Sequence, residues 1–376
     1  MKIAVCLYKY FPFGGLARDF RSIMTICRDR GYDIDVYVME WHGELLDGFN
    51  IHVVEAKAWT NHGKVKKFID QVTPQLHNGS YDLVVGFNKI PGLDIYYAAD
   101  PCYLDRVKNQ KNNFLYRLGQ RFQFFSQNEQ AVFGKESNTV SLMISDIQRD
   151  LFKLHYKTPD QRLLMLPPGI SEDRKRPQEW QQLRQQHRLD LSVQDDEFLL
   201  LMVGTGFKTK GVDRAILALA ALPEEVKCKT KLIVVGEGLA KPYLDLAKKH
   251  NIKTQVEFLG GRNDIPQLLL AADLLIHSAR KENTGTVILE AIVAGLPVVA
   301  TAACGYAKHV AKSNTGLVLA EPFNQTKFNQ ELSVILQADK LQQWSENGLN
   351  YAATEDLYSM PEKAADIIEH VIQNKH

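Results

Sequence analysis

Between Ala272 and Ala302 the residue pattern admits few folds. Leu274, Leu275 and Ile276 form a short apolar run, as a strand buried on both faces requires. A polar loop ending in Asn283-Thr284-Gly285 follows, and Val287, Ile288, Ala291, Ile292 and Ala294 then recur at helical spacing. Gly295 and Pro297 close that helix, and Val298-Val299-Ala300 opens the next strand. Strand, loop, helix and strand make one βαβ unit.

Two carboxylates frame the loop. Glu282 precedes the helix and Glu290 lies about one turn inside it. A helix start offers free backbone N–H groups and a positive dipole end, which suit an anion. Carboxylates beside an anion are out of place unless they bind hydroxyls. A sugar and a ribose joined by a diphosphate supply hydroxyls on both sides. With 44 Asp and Glu in 376 residues such a spacing also arises by chance, so the information lies in its placement on a strand–loop–helix.

That placement resembles the retaining GT-B glycosyltransferases of glycosyltransferase family 4. Their signature is Glu, seven residues, Glu, then Ala and a Gly-x-Pro-Val-Val segment; here it runs from Glu282 through Glu290-Ala291 to Gly295-Leu296-Pro297-Val298-Val299. The resemblance implies an α/β chain of two Rossmann-like domains facing each other across a cleft.

Length agrees, since 376 residues exceed one ordinary core. Hydrophobic residues at 45% and charged residues at 24% are typical of a soluble globular chain. A net charge of +1 gives no global pull toward nucleic acid, so charge arguments must be local. The five cysteines are scattered, with no C-x-x-C pair, which fits a reduced cytosolic location and not a zinc site. Ile3 to Leu7 is too short for a signal-peptide core, and no apolar run approaches the roughly 20 residues that span a bilayer. The expectation is a cytoplasmic protein, at most attached to a membrane surface.

In the first half, Ile3 to Leu7 reads as a buried strand and Tyr8 to Gly15 as a loop. A helix follows from about Leu16, and Ile34 to Val38 is the next strand. Gly14 and Gly15 let backbone approach a ligand closely, though without the G-x-G-x-x-G fingerprint of dinucleotide binding. Asp82 to Gly86 and Ile95 to Ala99 are further strands, ending near Asn88 and Asp100. Polar residues at strand C-termini line the ligand crevice of an open parallel sheet. Asp19, one turn into the first helix, is placed either to orient an acceptor hydroxyl or simply by the helix dipole.

Residues 103–133 differ from the rest. Arg106, Lys108, Lys111, Arg117 and Arg121 are set against only Asp105 and Glu129, with aromatic residues between them. Phe114, Leu118, Phe122 and Phe125 fall on one helical stripe. Such a segment can lie on an anionic membrane surface, or pack its stripe on the core with a solvated basic face. Thr139 to Ile144 looks like the last long strand of this half. Leu163 to Ile170 then crosses over, punctuated by Pro167-Pro168-Gly169. The expected domains are 1–168 and 169–354, with a helix at about 355–376 packing back on the first.

The second half opens at Phe198–Gly204. Lys208 and Lys210 lie on the strand–helix loop that follows, where counter-charge for a diphosphate is expected; Lys208 reads as a solvated lysine. In the family's Gly-x-x-x-x-x-Lys-Gly pattern, Lys210 matches the phosphate-binding lysine. Thr205 stands where the family often carries Arg, and Arg174, just past the linker, can supply that charge.

Further stretches resemble the lipopolysaccharide core glucosyltransferase I family. They are Leu7 to Leu16, Gly86 to Lys89, Pro167 to Ile170, Gly204 to Arg214, Gly260 to Asp264 and Glu355 to Asp366. The resemblance implies transfer of α-glucose from UDP-glucose to an inner-core heptose by an enzyme at the cytoplasmic face of the inner membrane. It places Glu282 on the sugar hydroxyls, Glu290 on the ribose and Arg262 by the uracil. The backbone of Asn283, Thr284, Gly285 and Thr286, with Arg174, Lys210 and the Gly14-Gly15 loop, would hold the diphosphate. Many relatives carry His where Asp100 stands; a carboxylate there could stabilise an oxocarbenium-like centre. No cofactor or metal is expected, because Asp33-Ile34-Asp35 opens a strand and the phosphates have basic partners instead. The alternatives are another UDP-hexose as donor, or a UDP-sugar epimerase on the same fold.

Overall fold

The computed structural model describes residues 1–12, 14–78, 80–108 and 113–375. The chain divides into two compact units, Met1–Gly169 with Tyr358–His376, and Ile170–Leu357.

The first unit is built on β1 (Lys2–Tyr10), β2 (Asp33–Trp41), β3 (Asn50–Val53), β4 (Leu83–Gly86), β5 (Ile95–Ala98), β6 (Val140–Met143) and β7 (Leu163–Met165). They pair in the order β3-β2-β1-β4-β5-β6-β7, all parallel. Parallel strands need crossover connections, so helices cover both faces and the central strands are buried and mostly apolar, as in β1 from Ile3 to Leu7. Alternate β1 side chains feed opposite faces. Ile3, Val5 and Leu7 pack with Phe20, Ile23 and Met24 of the helix Gly15–Asp29. Ala4 and Cys6 pack with Phe68 and Val72 of the helix Asn61–Asn78. The C-terminal helix Met360–Gln373 belongs to this unit: Ala364, Ala365 and Ile368 join the cluster around Leu7, and Arg30 holds Glu362, Asp366 and Glu369 at 2.9, 2.7 and 3.0 Å.

The second unit contains β8 (Phe198–Val203), β9 (Thr230–Val235), β10 (Val256–Gly260), β11 (Leu274–His277), β12 (Val298–Thr301) and β13 (Gly316–Leu319). Their order is β10-β9-β8-β11-β12-β13, again all parallel. Each sheet reverses its winding once, between β1 and β4 and between β8 and β11. The loops leaving the C-terminal ends of those strands are where an open α/β sheet binds ligands.

Two expectations need correction. Leu163–Met165 is not a plain crossing segment but edge strand β7, with Ser141 opposite Leu163; a strand of 3 residues is too short to show periodicity. The aromatic stripe at 103–133 is not one helix. The segment forms helices Tyr103–Lys108, Asn113–Arg117 and Gln120–Phe133, and Lys111 lies outside the described residues. Gly119 takes an extended conformation (φ −76°, ψ 147°), so Phe114 and Leu118 do not share a helix with Phe122 and Phe125.

Candidate active site

In the second unit β11 ends at His277, and the loop returns to the helix Thr286–Val293 through Gly285. Gly285 has φ +81°, and a Cβ there would lie 3.3 Å from both Glu282 Cγ and His277 Nε2. Only glycine takes this turn cheaply while Glu282 folds against the helix start. The other strand at the switch point, β8, leads through Gly204 to Lys210. A Cβ on Gly204 would lie 2.6 Å from Lys210 Cε, so glycine makes room for the lysine stem. Lys210 Nζ donates to Glu282 Oε2, and His277 Nε2 lies 3.5 Å from the same oxygen. Residues 72 and 5 positions from Glu282 thus meet at one carboxylate.

The electrostatics follow from burial. Desolvation works to raise the Glu282 carboxyl, but hydrogen bonding to His277 and the charge of Lys210 outweigh it and hold the group down at about 2. Burial pushes His277 below its ordinary value. The pair is therefore an ionised carboxylate beside a neutral imidazole at neutral pH, and Glu282 can accept hydrogen bonds but not give a proton.

Glu290, buried inside the helix, has Arg174 Nε 3.7 Å away. Arg174 Nε and Nη1 are buried yet have no hydrogen-bond partner among the described residues. Nε also faces Asp173 at 3.6 Å, so the guanidinium has carboxylates nearby but unmade hydrogen bonds that a ligand can complete. The structure thus groups Lys210 with Glu282, Gly285 and Thr286 at the helix start, and Arg174 with Glu290 within that helix. Asn283 and Thr284 complete the loop between them, with Tyr306 N donating to Thr284 O at 2.8 Å. Lys208 is exposed, as expected of a solvated lysine. Arg262 is not brought to this cluster by any contact: it forks onto Asp264 at 2.8 Å and lines a separate cavity of about 410 Å³ with His187, Lys231 and Glu257.

In the first unit, Gly14 N donates to Phe11 O at 2.9 Å and opens the helix that carries Asp19. A Cβ on Gly15 would meet nothing within 4 Å, so a ligand has close access to its backbone. Asp19 accepts a hydrogen bond from Tyr97 Oη at 2.9 Å. Asp100 is joined by Asn88, whose Nδ2 lies 3.4 Å from it and whose Oδ1 accepts from Tyr8 N at 2.7 Å. Both line a cleft of about 290 Å³ that Asp19 does not enter. The sequence reading passed over His277; its position at the C-terminal end of the central strand was the available signal.

Residues 184–351 match the family model of the group 1 glycosyl transferases. The chain is 46% identical over 369 residues to the lipopolysaccharide glucosyltransferase WaaG of Escherichia coli K12, covering 98% of each chain. This chain belongs to the group 1 glycosyltransferases. It is an enzyme of the GT-B fold. The crystal structure of WaaG, described as a glycosyltransferase involved in lipopolysaccharide biosynthesis, superposes with a TM-score of 0.92 at 46% identity, covering 97% of this chain and 99% of that one. Anabaena HepE in complex with UDP-glucose shares the fold at a TM-score of 0.73 and 20% identity, covering 98% of this chain and 100% of its own. Within the family's architecture, the Glu282–Glu290 loop and helix lie in the matched region, as does Lys210.

Proposed function

We propose that this glycosyltransferase moves α-glucose from UDP-glucose to an inner-core heptose of lipopolysaccharide, keeping the anomeric configuration and using no metal ion. The observation that carries the reading is the ionised Glu282 beside Lys210 at the Gly285-capped helix start. The 46% identity to a lipopolysaccharide glucosyltransferase supports the choice of donor and acceptor.

In this mechanism the bond between the anomeric carbon and the diphosphate oxygen breaks as the heptose hydroxyl oxygen attacks from the same face. The hydroxyl proton passes to the departing phosphate oxygen, giving UDP. The protein's part is positioning and charge stabilisation. Lys210, Arg174 and the backbone N–H groups from Asn283 to Thr286 take up the charge on the diphosphate. Glu282 accepts from glucose hydroxyls, Glu290 from the ribose, and Arg262 flanks the uracil. Asp100 and Asp19 serve the acceptor side. With basic groups in these roles a divalent cation has no task, and transfer should persist in excess EDTA. Loss of activity with EDTA, restored by magnesium or manganese, would end that part of the reading.

We place the enzyme at the cytoplasmic membrane face, docked through residues 103–133. Phe114, Leu115 and Leu118 are 72%, 70% and 64% exposed, beside exposed Arg117. Among the described residues no helix is long and apolar enough to cross a membrane. The deciding experiment is a donor screen with a heptose-terminated acceptor, read by mass spectrometry. A hexose added from UDP-glucose is expected; UDP released with no product on the acceptor would favour an epimerase-like hydrolysis.

A further inference from the structure

The first unit's cleft carries more positive charge than a neutral sugar needs. Lys89 contributes little to the excess, because its ammonium is held by buried Glu129 and by Pro101 O at 2.8 Å. Arg106 and Arg121 line the same cleft. No carboxylate lies within ion-pair distance of either among the described residues, although Asp100 shares the cleft. Each guanidinium lies over an aromatic ring, Arg106 at 5.0 Å from the Tyr103 centroid and Arg121 at 6.0 Å from that of Phe125. A ring contact of that kind uses the face of the guanidinium and leaves its in-plane N–H fork for a planar or tetrahedral oxyanion.

A third group points the same way. Asn128 lines the cleft at only 5% exposure, and its Nδ2 has no hydrogen-bond partner among the described residues. A buried amide donor without an acceptor is costly. Arg121, Phe125 and Asn128 fall at i, i+4 and i+7 of the helix Gln120–Phe133, on one face. The basic residues of this segment thus separate into two groups. All three are exposed, but Arg106 and Arg121 line the cleft, whereas Arg117, over the Phe122 ring beside Leu118, does not.

We propose that Arg106, Arg121 and Asn128 form a subsite for an oxyanion, a phosphate or a carboxylate, carried by the acceptor sugar. This rests on the reading of the Asp100 cleft as the acceptor side. The subsite selects a charged acceptor over its neutral counterpart and is distinct from attraction to an anionic lipid surface.

The test uses the full chain in neutral detergent micelles with three heptose-terminated acceptors: one bearing a phosphate monoester, one a carboxylate, one neutral. Wild type should use at least one charged acceptor with the lower KM, and which one identifies the oxyanion. Arg106→Gln and Arg121→Gln should raise KM for that acceptor about 10- to 100-fold, as expected for one charge-assisted hydrogen bond. The kcat, the KM for UDP-glucose and the KM for the neutral acceptor should not move. Asn128→Asp, nearly isosteric, should do the same by repulsion. Equal use of charged and neutral acceptors by wild type overturns the proposal. So does an equal KM change for both in the variants, or an effect seen only on anionic vesicles and not in neutral micelles. A readout free of turnover separates this from the functional reading: with UDP saturating, calorimetry should detect inorganic phosphate binding in wild type and a loss of it in Arg106→Gln. Unchanged phosphate binding in that variant sinks the subsite even if transfer is observed; failed transfer with phosphate binding intact sinks only the assigned reaction.

Discussion

Each unit holds a lysine–glutamate pair, and the two are built for opposite purposes. In the first, Glu129 is fully buried and accepts from Lys89, Tyr156 Oη at 2.6 Å, Tyr103 N at 2.8 Å and Leu104 N at 3.3 Å. Burial works to raise its carboxyl, and Lys89 with these donors holds it below the usual range. The pair is closed: it ties the helix Gln120–Phe133 to the start of the helix Tyr103–Lys108. In the second unit Lys210 and Glu282 are each 19% exposed, and the neighbouring His277 Nε2 approaches Glu282 only to 3.5 Å. That pair is open, with donor and acceptor capacity left over. A fully satisfied ion pair holds structure, and a partly satisfied one at a strand end is where a ligand can enter.

The contrast is broken most directly at Glu129. Glu129→Ala leaves Lys89 buried without its partner, and should cost about 3–5 kcal/mol of stability, read as a lowered thermal transition of the first unit. A loss no larger than a typical surface substitution would show that the closed pair is not structural.

Acid should separate the units next. The Glu282 carboxyl is lowered from 4.5 to about 2 on folding, so its contribution is complete above the unfolded value and is lost as pH falls from there through about 2. The shift corresponds to about 3 kcal/mol at most. His277, lowered from 6.5, adds to the same acid limb, since a depressed value favours the folded state above it. Glu282→Gln should flatten the second unit's unfolding curve below pH 4.5 when followed by circular dichroism. An unchanged acid limb would show that the carboxylate is not held down.

Ligand binding gives the third contrast. Lys210→Ala should leave the fold intact yet weaken UDP by about 1.5–3 kcal/mol, the worth of one charged hydrogen bond. Glu290→Ala should weaken UDP through the ribose, while Glu282→Ala spares UDP and impairs sugar transfer. Calorimetry finding equal UDP affinity in Glu290→Ala and wild type removes the ribose assignment.

The smallest effect concerns charges belonging to neither pair. Lys108→Glu with Arg117→Glu should weaken binding to anionic liposomes by about 1 kcal/mol per lost positive charge, or more with reversal. The attraction should fade as salt shortens the Debye length from about 10 Å. Co-sedimentation equal to wild type would remove this segment from the membrane contact.

The open site was largely legible in the sequence because it is local. Strand, loop, Gly285 and helix are contiguous, and a continuous apolar run followed by a helical spacing of 3.6 marks them directly. Lys210 came from the family pattern, and Arg174 from the charge that Thr205 leaves missing in it. The closed pair was not legible: Glu129 counted as a surface charge, because its partner lies 40 residues away and burial depends on tertiary packing. The surface of 103–133 is accordingly more basic than its composition indicates. The single helix expected there failed for a local reason, since Gly119 outweighs apolar spacing carried across it. β3 and β13 gave little signal because both are sheet edges, with only Leu319 buried between them, so neither carries the apolar run of an interior strand.

The placement of the C-terminal helix bears on how the chain is made. Ala364, Ala365, Ile368 and Ile372 complete the same apolar cluster as Ile3, Leu7 and Phe20, yet they leave the ribosome only after the whole of the second unit. The first unit therefore cannot close its core during synthesis of its own strands. It must wait, with that face of the sheet covered only in part by the helix Gly15–Asp29, while all of Ile170–Leu357 is made. The second unit, contiguous in sequence, can fold as soon as it emerges, so the first unit, although it begins earlier in the chain, is finished after the second.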